Sequence, residues 1–572
     1  MQASIETVLT KEMSKFVWGP DSKPRIASTT LHRPIEEGGL NLLDLEARNQ
    51  AIEIIWLKAY LNFSPTQQQW ATVTDHIIQT TALTYPVPEA RGNPFLQAWN
   101  VPSRGPRWEK LNDDIQRMLE TARKYNANLS AIRLNPRALA QLPAWYHLAT
   151  ENRPITNRAS KCLLKKHNIS LVADLVRTSA RTRHPQQHPA HQPNEDCPCH
   201  ECTDDKEQGC TNPHRCATEA HTRLNLIQPK YNPTRQDPPD GLSLTKRRKM
   251  RNETARQNNE EITFDPAMTS GEDLAECFRI FTDPDKTTTQ PARRLQVLEP
   301  TPRAREQIVY TNGACLKNGK MDAKCGSGVW FGPDDQRNQA IRVPGDAQSN
   351  QVGEIATVIA AIKTADPRQP LKIITDSKYV IEGLTTHRES WENDGWITIK
   401  NAPLFKKAIH LLRKRTAKTS LQWVKGHNRT IGNEESDQLA KHGANKPTED
   451  HLNLDIPIDF DLQGAKLATL TQATVYRGIL ERKEVNPRRS TTKYIRLTRE
   501  AIHHITKNLE TDATIWRSIR IKTLRPLVQQ FLYRTMHNTH RVGDYWSNLE
   551  GSEHREICRT CNTSESMDHI MT

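Results

Sequence analysis

Glu354, Asp376 and Asp437 are three carboxylates within one stretch of the chain. Asn312 stands ahead of them, His427 lies ten residues before Asp437, and the polar pair Asn433–Glu434 lies between those two. Hard oxygen donors of this kind suit Mg²⁺, which demands near-octahedral geometry and is usually held by a few carboxylates plus substrate phosphate. Two such ions about 4 Å apart can activate a water and hold the charge growing on a leaving oxygen. Those are the two needs of phosphodiester hydrolysis. An imidazole such as His427 can move protons near neutral pH.

These groups need elements to bring them together. Ile308-Val309-Tyr310-Thr311 and Leu371-Lys372-Ile373-Ile374-Thr375 read as strands ending at Asn312 and at Asp376. Side by side, their ends meet at one edge of a sheet. Ser377 is placed to cap the next helix. Ile355, Val358, Ile359 and Ile362 recur at helical spacing. That face should bury on the sheet and turn Glu354 towards the strand ends. Asp437 falls early in a helix, where an acidic residue suits the helix dipole. His427 follows Trp423-Val424-Lys425-Gly426 in a loop.

The order Asn312, Glu354, Asp376, His427, Asp437 resembles that of type 1 ribonuclease H. The resemblance implies an α/β fold over residues 305–447, a mixed five-stranded sheet flanked by helices. It implies endonucleolytic cleavage of the RNA strand of an RNA–DNA hybrid. Glu354, Asp376 and Asp437 would then hold two Mg²⁺ ions, with Asn312 a weakened fourth ligand. His427 would assist proton transfer or product release, and Asn433 and Glu434 would lie near the hybrid. Trp391 and Trp396, followed by Lys406, Lys407, Arg413, Lys414 and Arg415, resemble the basic handle with which family members grip the DNA strand. Cations neutralise phosphates and aromatic rings stack on bases. The same residues also read as core tryptophans and a solvated helix face.

Where the family has its first Asp, this chain has Asn312. Asn keeps the shape and loses the charge. A unit charge 4 Å from a divalent ion is worth about 8 kcal/mol at an effective dielectric near 20. Desolvation offsets much of this, but a net loss of about 3 kcal/mol would already weaken metal binding or rate more than 100-fold. The expectation is little or no cleavage by the chain as written. The rival reading is a catalytically inactive RNA- or hybrid-binding relic.

The remainder is modular. The 572 residues are 35% hydrophobic with 35 prolines, and mean hydropathy is −0.74. That composition points to several domains on polar linkers. The net charge of +14 points to a polyanionic partner, RNA, DNA or their hybrid. No apolar run of about 18 residues suggests a membrane span. The N-terminus lacks a signal-peptide core, so an intracellular protein is expected. Residues 1–65, with Phe16-Val17-Trp18-Gly19, Gly38-Gly39 and Asp44, form a helical segment. It resembles the region just downstream of the polymerase core in non-LTR retrotransposon reverse transcriptases. The Tyr-x-Asp-Asp motif of such polymerases is absent, so the chain reads as the C-terminal portion of such a polyprotein. Residues 66–190 show mixed helical patterning without a chemical motif.

Residues 195–225 hold Cys197, Cys199, Cys202, Cys210, His214 and Cys216. With no long apolar run this reads as a zinc knuckle, with more candidates than four ligand positions, or as reduced free thiols. Residues 226–300 read as a disordered basic linker. Its run Lys246–Arg251 is a nuclear-localisation or phosphate-binding patch, or plain solubilising charge. Residues 448–510 read as a linker with a helix. Residues 511–572 end in Cys558, Cys561 and His569, resembling the zinc-binding tail of the same reverse transcriptases with one ligand missing.

Overall fold

The computed structural model describes residues 3–19, 24–82, 87–150, 155–235, 242–293, 305–426, 428–547 and 549–571. The chain divides into two compact units. One comprises Met1–Asn49, Cys315–Lys324 and Gly478–Thr572; the other comprises Gln50–Ala314 and Cys325–Arg477.

The second unit is built on a mixed six-stranded sheet. Its strands are β1 (Ile262–Thr263), β2 (Gln307–Leu316), β3 (Lys324–Trp330), β4 (Gln339–Arg342), β5 (Leu371–Thr375) and β6 (Thr419–Trp423), in the order β1-β6-β5-β2-β3-β4. β2 and β5 are parallel, and so are β5 and β6. β3 and β4 are antiparallel, as are β1 and β6. The β2–β5 register runs from Gln307 opposite Leu371 to Thr311 opposite Thr375. The next residue on each strand, Asn312 and Asp376, therefore comes out at the same end. Val309, Leu371, Ile373 and Leu421 are fully buried between the covering helices.

Five helices follow from this sheet: α1 (Asn350–Thr364), α2 (Lys378–Leu384), α3 (Arg388–Asn393), α4 (Ala402–Lys414) and α5 (Ile431–Asn445). Ser349 caps α1, its side chain accepting from the Val352 N–H. Ser377 caps α2 through the Val380 N–H, as its position predicts. The apolar spacing in α1 predicts one buried face, but every residue from Val352 to Ile362 is buried. The alanines on the far side let α4 pack closely there, so α1 is enclosed between sheet and helix.

The sheet has one strand more than the five expected. β1 comes from the stretch read as a disordered linker, and that reading is corrected. Lys246–Gln257 is a helix, Ile262–Thr263 pairs with β6, and Phe278–Ile280 is a buried strand. The last pairs with Asn128–Leu129 and Ala465–Lys466 in a second, three-stranded sheet. Polar composition hid these elements because each spans only a few buried residues, such as Phe278 and Ile280.

The first unit is helical. Ala3–Trp18, Arg489–Thr506, Asp512–Ser518 and Pro526–Met536 are its main helices. Its core gathers Ile26, Leu31, Ile495, Ile515, Trp516, Tyr533 and Met536. The Gly38-Gly39 turn lies against Trp516. Gly38 has φ +84°, and a Cβ there would stand 2.8 Å from the indole ring. Among the described residues no helix is long and apolar enough to cross a membrane.

Candidate active site

Two close approaches set the site. A Cβ on Gly313 would stand 2.4 Å from the Glu354 backbone nitrogen. The absent side chain lets the start of α1 rest directly on β2 beside Asn312. Cβ atoms on Gly326 and Gly328 would stand 2.1 and 1.9 Å from the carbonyl oxygens of Ala440 and Ser436. These β3 glycines let α5 lie on the strand backbone, which fixes the height of Asp437.

Glu354 is buried and its Oε2 has no hydrogen-bond partner. Burial pushes its carboxyl up to about 8, and the nearby charges of Asp376 and Asp437 add to the rise; the Gly313 N–H opposes it by donating to the carboxylate. Asp376 and Asp437 are thus near enough for their charges to be felt at Glu354. Asp376 is partly exposed. Asn433 Nδ2 lies 3.4 Å from its Oδ2 and donates to it. The Trp423 Nε1–H donates to the Asp376 carbonyl at 3.0 Å, tying the ends of β5 and β6 together. Asp437 pairs with Lys441 at 2.5 Å. Asn312 is 6% exposed. β2 runs past it to Leu316 instead of ending there, since the strand's other edge continues beside β3. Gly426 backs onto Asp376: a Cβ there would stand 2.8 Å from Oδ2. His427, the next residue, lies outside the described residues, so its expected role has no structural account. Glu434 is exposed at the start of α5.

The donor set suits Mg²⁺. All donors are hard oxygens, one buried carboxylate oxygen is unpartnered, and three carboxylates repel one another until a cation joins them. Asn312 supplies a neutral amide where a fourth charge would stand.

The basic handle is not assembled as expected. Arg413 donates to both Glu392 oxygens, at 2.6 and 2.9 Å, and Arg388 reaches the same carboxylate at 3.1 Å. Burial alone would raise the Glu392 carboxyl, but Arg413 and Arg388 hold it below its ordinary value. Arg415 is 2% exposed and donates to the carbonyls of Asp366 and Gln369. Lys407 is buried and donates to the Asp455 carbonyl. Lys414 lies over the Phe460 ring, and Lys406 is partly exposed. Trp391 and Trp396 pack with Phe405, at ring-centroid distances of 5.1 and 6.4 Å. Arg413, Arg415, Lys407 and Trp396 are thus interior groups. On a helix, an arginine bound for a buried carboxylate looks the same in sequence as one facing solvent.

The cysteine-rich segment divides. His191 joins Cys197, Cys199 and Cys202 in one group, and Cys162 and His167 join Cys210 and Cys216 in another. His214 belongs to neither. Cys162, His167 and His191 lie outside the 195–225 window, which is why sequence reading passed over them; the Cys162-x4-His167 spacing was the available signal. Cys558, Cys561 and His569 also come together as a group of three.

A mixed six-stranded sheet packed with helices, with Asn312 and Asp376 following adjacent parallel strands and Glu354 and Asp437 on helices beside them, is an α/β arrangement. The family described as RNase H matches residues 304–445. Ribonuclease H of Schizosaccharomyces pombe is 37% identical over 145 residues, which are 24% of this chain and 53% of that protein. Human ribonuclease H1 is 38% identical over 148 residues, 25% of this chain and 51% of that protein. Ribonuclease H of Polynucleobacter asymbioticus is 35% identical over 143 residues, 24% of this chain and 88% of that protein. A solved type 1 RNase H described as having the type 2 active-site motif shares 25% identity, with 26% of this chain and 76% of that chain covered and a TM-score of 0.23. Through residues 304–445 the chain belongs to the ribonuclease H family. It spans about half the length of the yeast and human relatives it matches.

Proposed function

We propose that residues 304–445 are an RNA–DNA hybrid endoribonuclease site, assembled for two Mg²⁺ ions and muted by Asn312. The observation that supports this reading is the buried Glu354 carboxylate, whose Oε2 has no hydrogen-bond partner and which feels the charges of Asp376 and Asp437. Bound Mg²⁺ supplies charge stabilisation and an activated water. Glu354, Asp376 and Asp437 would hold the cations, and Asn433 donates to Asp376 and orients it. Asn312 lends an amide oxygen in place of a carboxylate. Identity to ribonucleases H supports the hybrid as substrate, and the net charge of +14 is compatible with a nucleic acid partner.

The test offers Asn312→Asp protein a labelled RNA–DNA hybrid, an RNA duplex and a DNA duplex, each with Mg²⁺. The reading expects cleavage of the hybrid's RNA strand alone, leaving 3′-hydroxyl and 5′-phosphate ends. Cutting of all three, or of none, would remove it. Asn312 itself favours a second reading, a hybrid-binding module without turnover. Salt-sensitive hybrid binding without cleavage by either form would select that one. The resemblance of the Phe16–Asp44 and Cys558–His569 segments supports placing the domain in a retroelement polyprotein.

A further inference from the structure

We propose that residues 162–216 form two separate, closed zinc centres rather than a single knuckle. The first is held by His191, Cys197, Cys199 and Cys202, the second by Cys162, His167, Cys210 and Cys216.

The distances are those of tetrahedral zinc. His191 Nδ1 stands 3.4, 3.6 and 3.5 Å from the Sγ atoms of Cys197, Cys199 and Cys202. Zn–S bonds of about 2.3 Å and Zn–N bonds of about 2.0–2.1 Å at tetrahedral angles separate sulfur from nitrogen by about 3.5 Å and two sulfurs by about 3.8 Å. In the second group Cys210 and Cys216 Sγ lie 3.6 Å apart, too far for a disulfide and right for shared coordination.

The surrounding groups orient each histidine. His191 Nε2 lies 3.1 Å from His214 Nδ1, so His214 holds the ring from behind. His167 Nδ1 lies 3.0 Å from Asp205, and its buried Nε2 has no other partner. A carboxylate behind a ligating imidazole is a common support for zinc. The Gln192 N–H donates to Cys197 Sγ at 3.1 Å. Three thiolates and a neutral imidazole leave each centre with one net negative charge. The buried Arg181, paired with Asp205 and donating to the Pro213 carbonyl, lies among these groups.

Packing alone does not account for the arrangement. Cys197, Cys199 and Cys202 are buried in a cluster that contains no other apolar residue. Around the second group the helices Arg158–Lys165 and Pro213–Leu226 are set by Asn157 and Asn212 caps. The two helices pack against each other and carry Cys162 and Cys216 into one group.

The test uses the full chain with Cys558→Ser and Cys561→Ser, so that the C-terminal group is out of the count. Metal content and native mass are measured with Zn²⁺, and absorption with Co²⁺. The expected result is two thiolate-bound ions per chain, counted from tetrahedral thiolate–cobalt absorption, to which ions at the carboxylates do not contribute. Cys162→Ser and His191→Ala should each lower the count to one. His214→Gln should keep two ions while the first centre loses metal to a chelator about 10-fold more readily. Uptake of fewer than two cobalt ions by the otherwise unaltered chain would overturn the proposal without relying on ligand variants that fail to fold. So would loss of an ion on His214→Gln, or an unchanged count on Cys162→Ser.

Discussion

The carboxylate site at the end of the β2–β5 pair and the Cys/His module gather metal ligands in opposite ways. The carboxylates are pinned by elements that fold without a metal: the parallel register, the bare glycines of β2 and β3, and the enclosed α1. Their mutual repulsion is a strain the fold carries. The first Cys/His group has no buried apolar neighbour beyond its own cysteines, while the second sits on helices that also bury Leu163, Ala217 and Leu224; both take their order in part from what they bind. A site built for chemistry is held open by a scaffold; a site built for structure is itself the scaffold.

Removing metal separates the two most strongly. A strong zinc chelator should unfold the 155–226 helices, because structural zinc binding contributes on the order of 10 kcal/mol. Mg²⁺ removal should leave the six-stranded sheet intact. Hydrogen exchange with each metal withdrawn reads both, and protection of the 155–226 amides after zinc removal would break the contrast.

The buried ion pairs of the nuclease domain come next. Arg413→Ala leaves Glu392 with too little compensation, and should cost about 3 kcal/mol of stability. The salt dependence of hybrid binding should not change, since Arg413 reaches no phosphate. A shallower salt slope with unchanged stability would restore the handle reading.

A pH series probes the strain at the carboxylates. Glu354 is raised in the folded, metal-free protein from its ordinary 4.5 to about 8. Between those values the folded state holds a proton that the unfolded state has released. Metal-free stability should therefore fall as pH rises through that window, by on the order of 5 kcal/mol. Glu354→Gln should flatten this slope and stabilise the protein at pH 8. Denaturant midpoints for both forms decide it, and equal slopes would contradict the burial argument.

The smallest effect concerns Asn433. In Asn312→Asp protein, Asn433→Ala should lower cleavage about 10-fold by releasing Asp376, with thermal stability little changed. Unaltered rates would mean that the 3.4 Å contact positions nothing.

The elements that carry the candidate site were legible in sequence because they are strongly patterned. Two apolar strands and one Ile-rich helix announce Asn312, Asp376 and Glu354. The rest was hidden for identifiable reasons. Ile262–Thr263 is too short to alternate, so the sixth strand left no pattern. Cys162, His167 and His191 are single residues on or beside helices whose other positions look ordinary. Arg413 and Arg415 look in sequence like part of a basic handle or a solvated helix face, because their partners, Glu392 and the Asp366 and Gln369 carbonyls, become neighbours only in the folded chain.

The central claim is that Asn312 alone separates this site from a working nuclease. Single-turnover cleavage of a labelled RNA–DNA hybrid with Mg²⁺, natural chain against Asn312→Asp, tests it most directly. The account predicts at least about 100-fold faster cleavage by the substituted form. Equal rates, whether both cut or neither does, would contradict it.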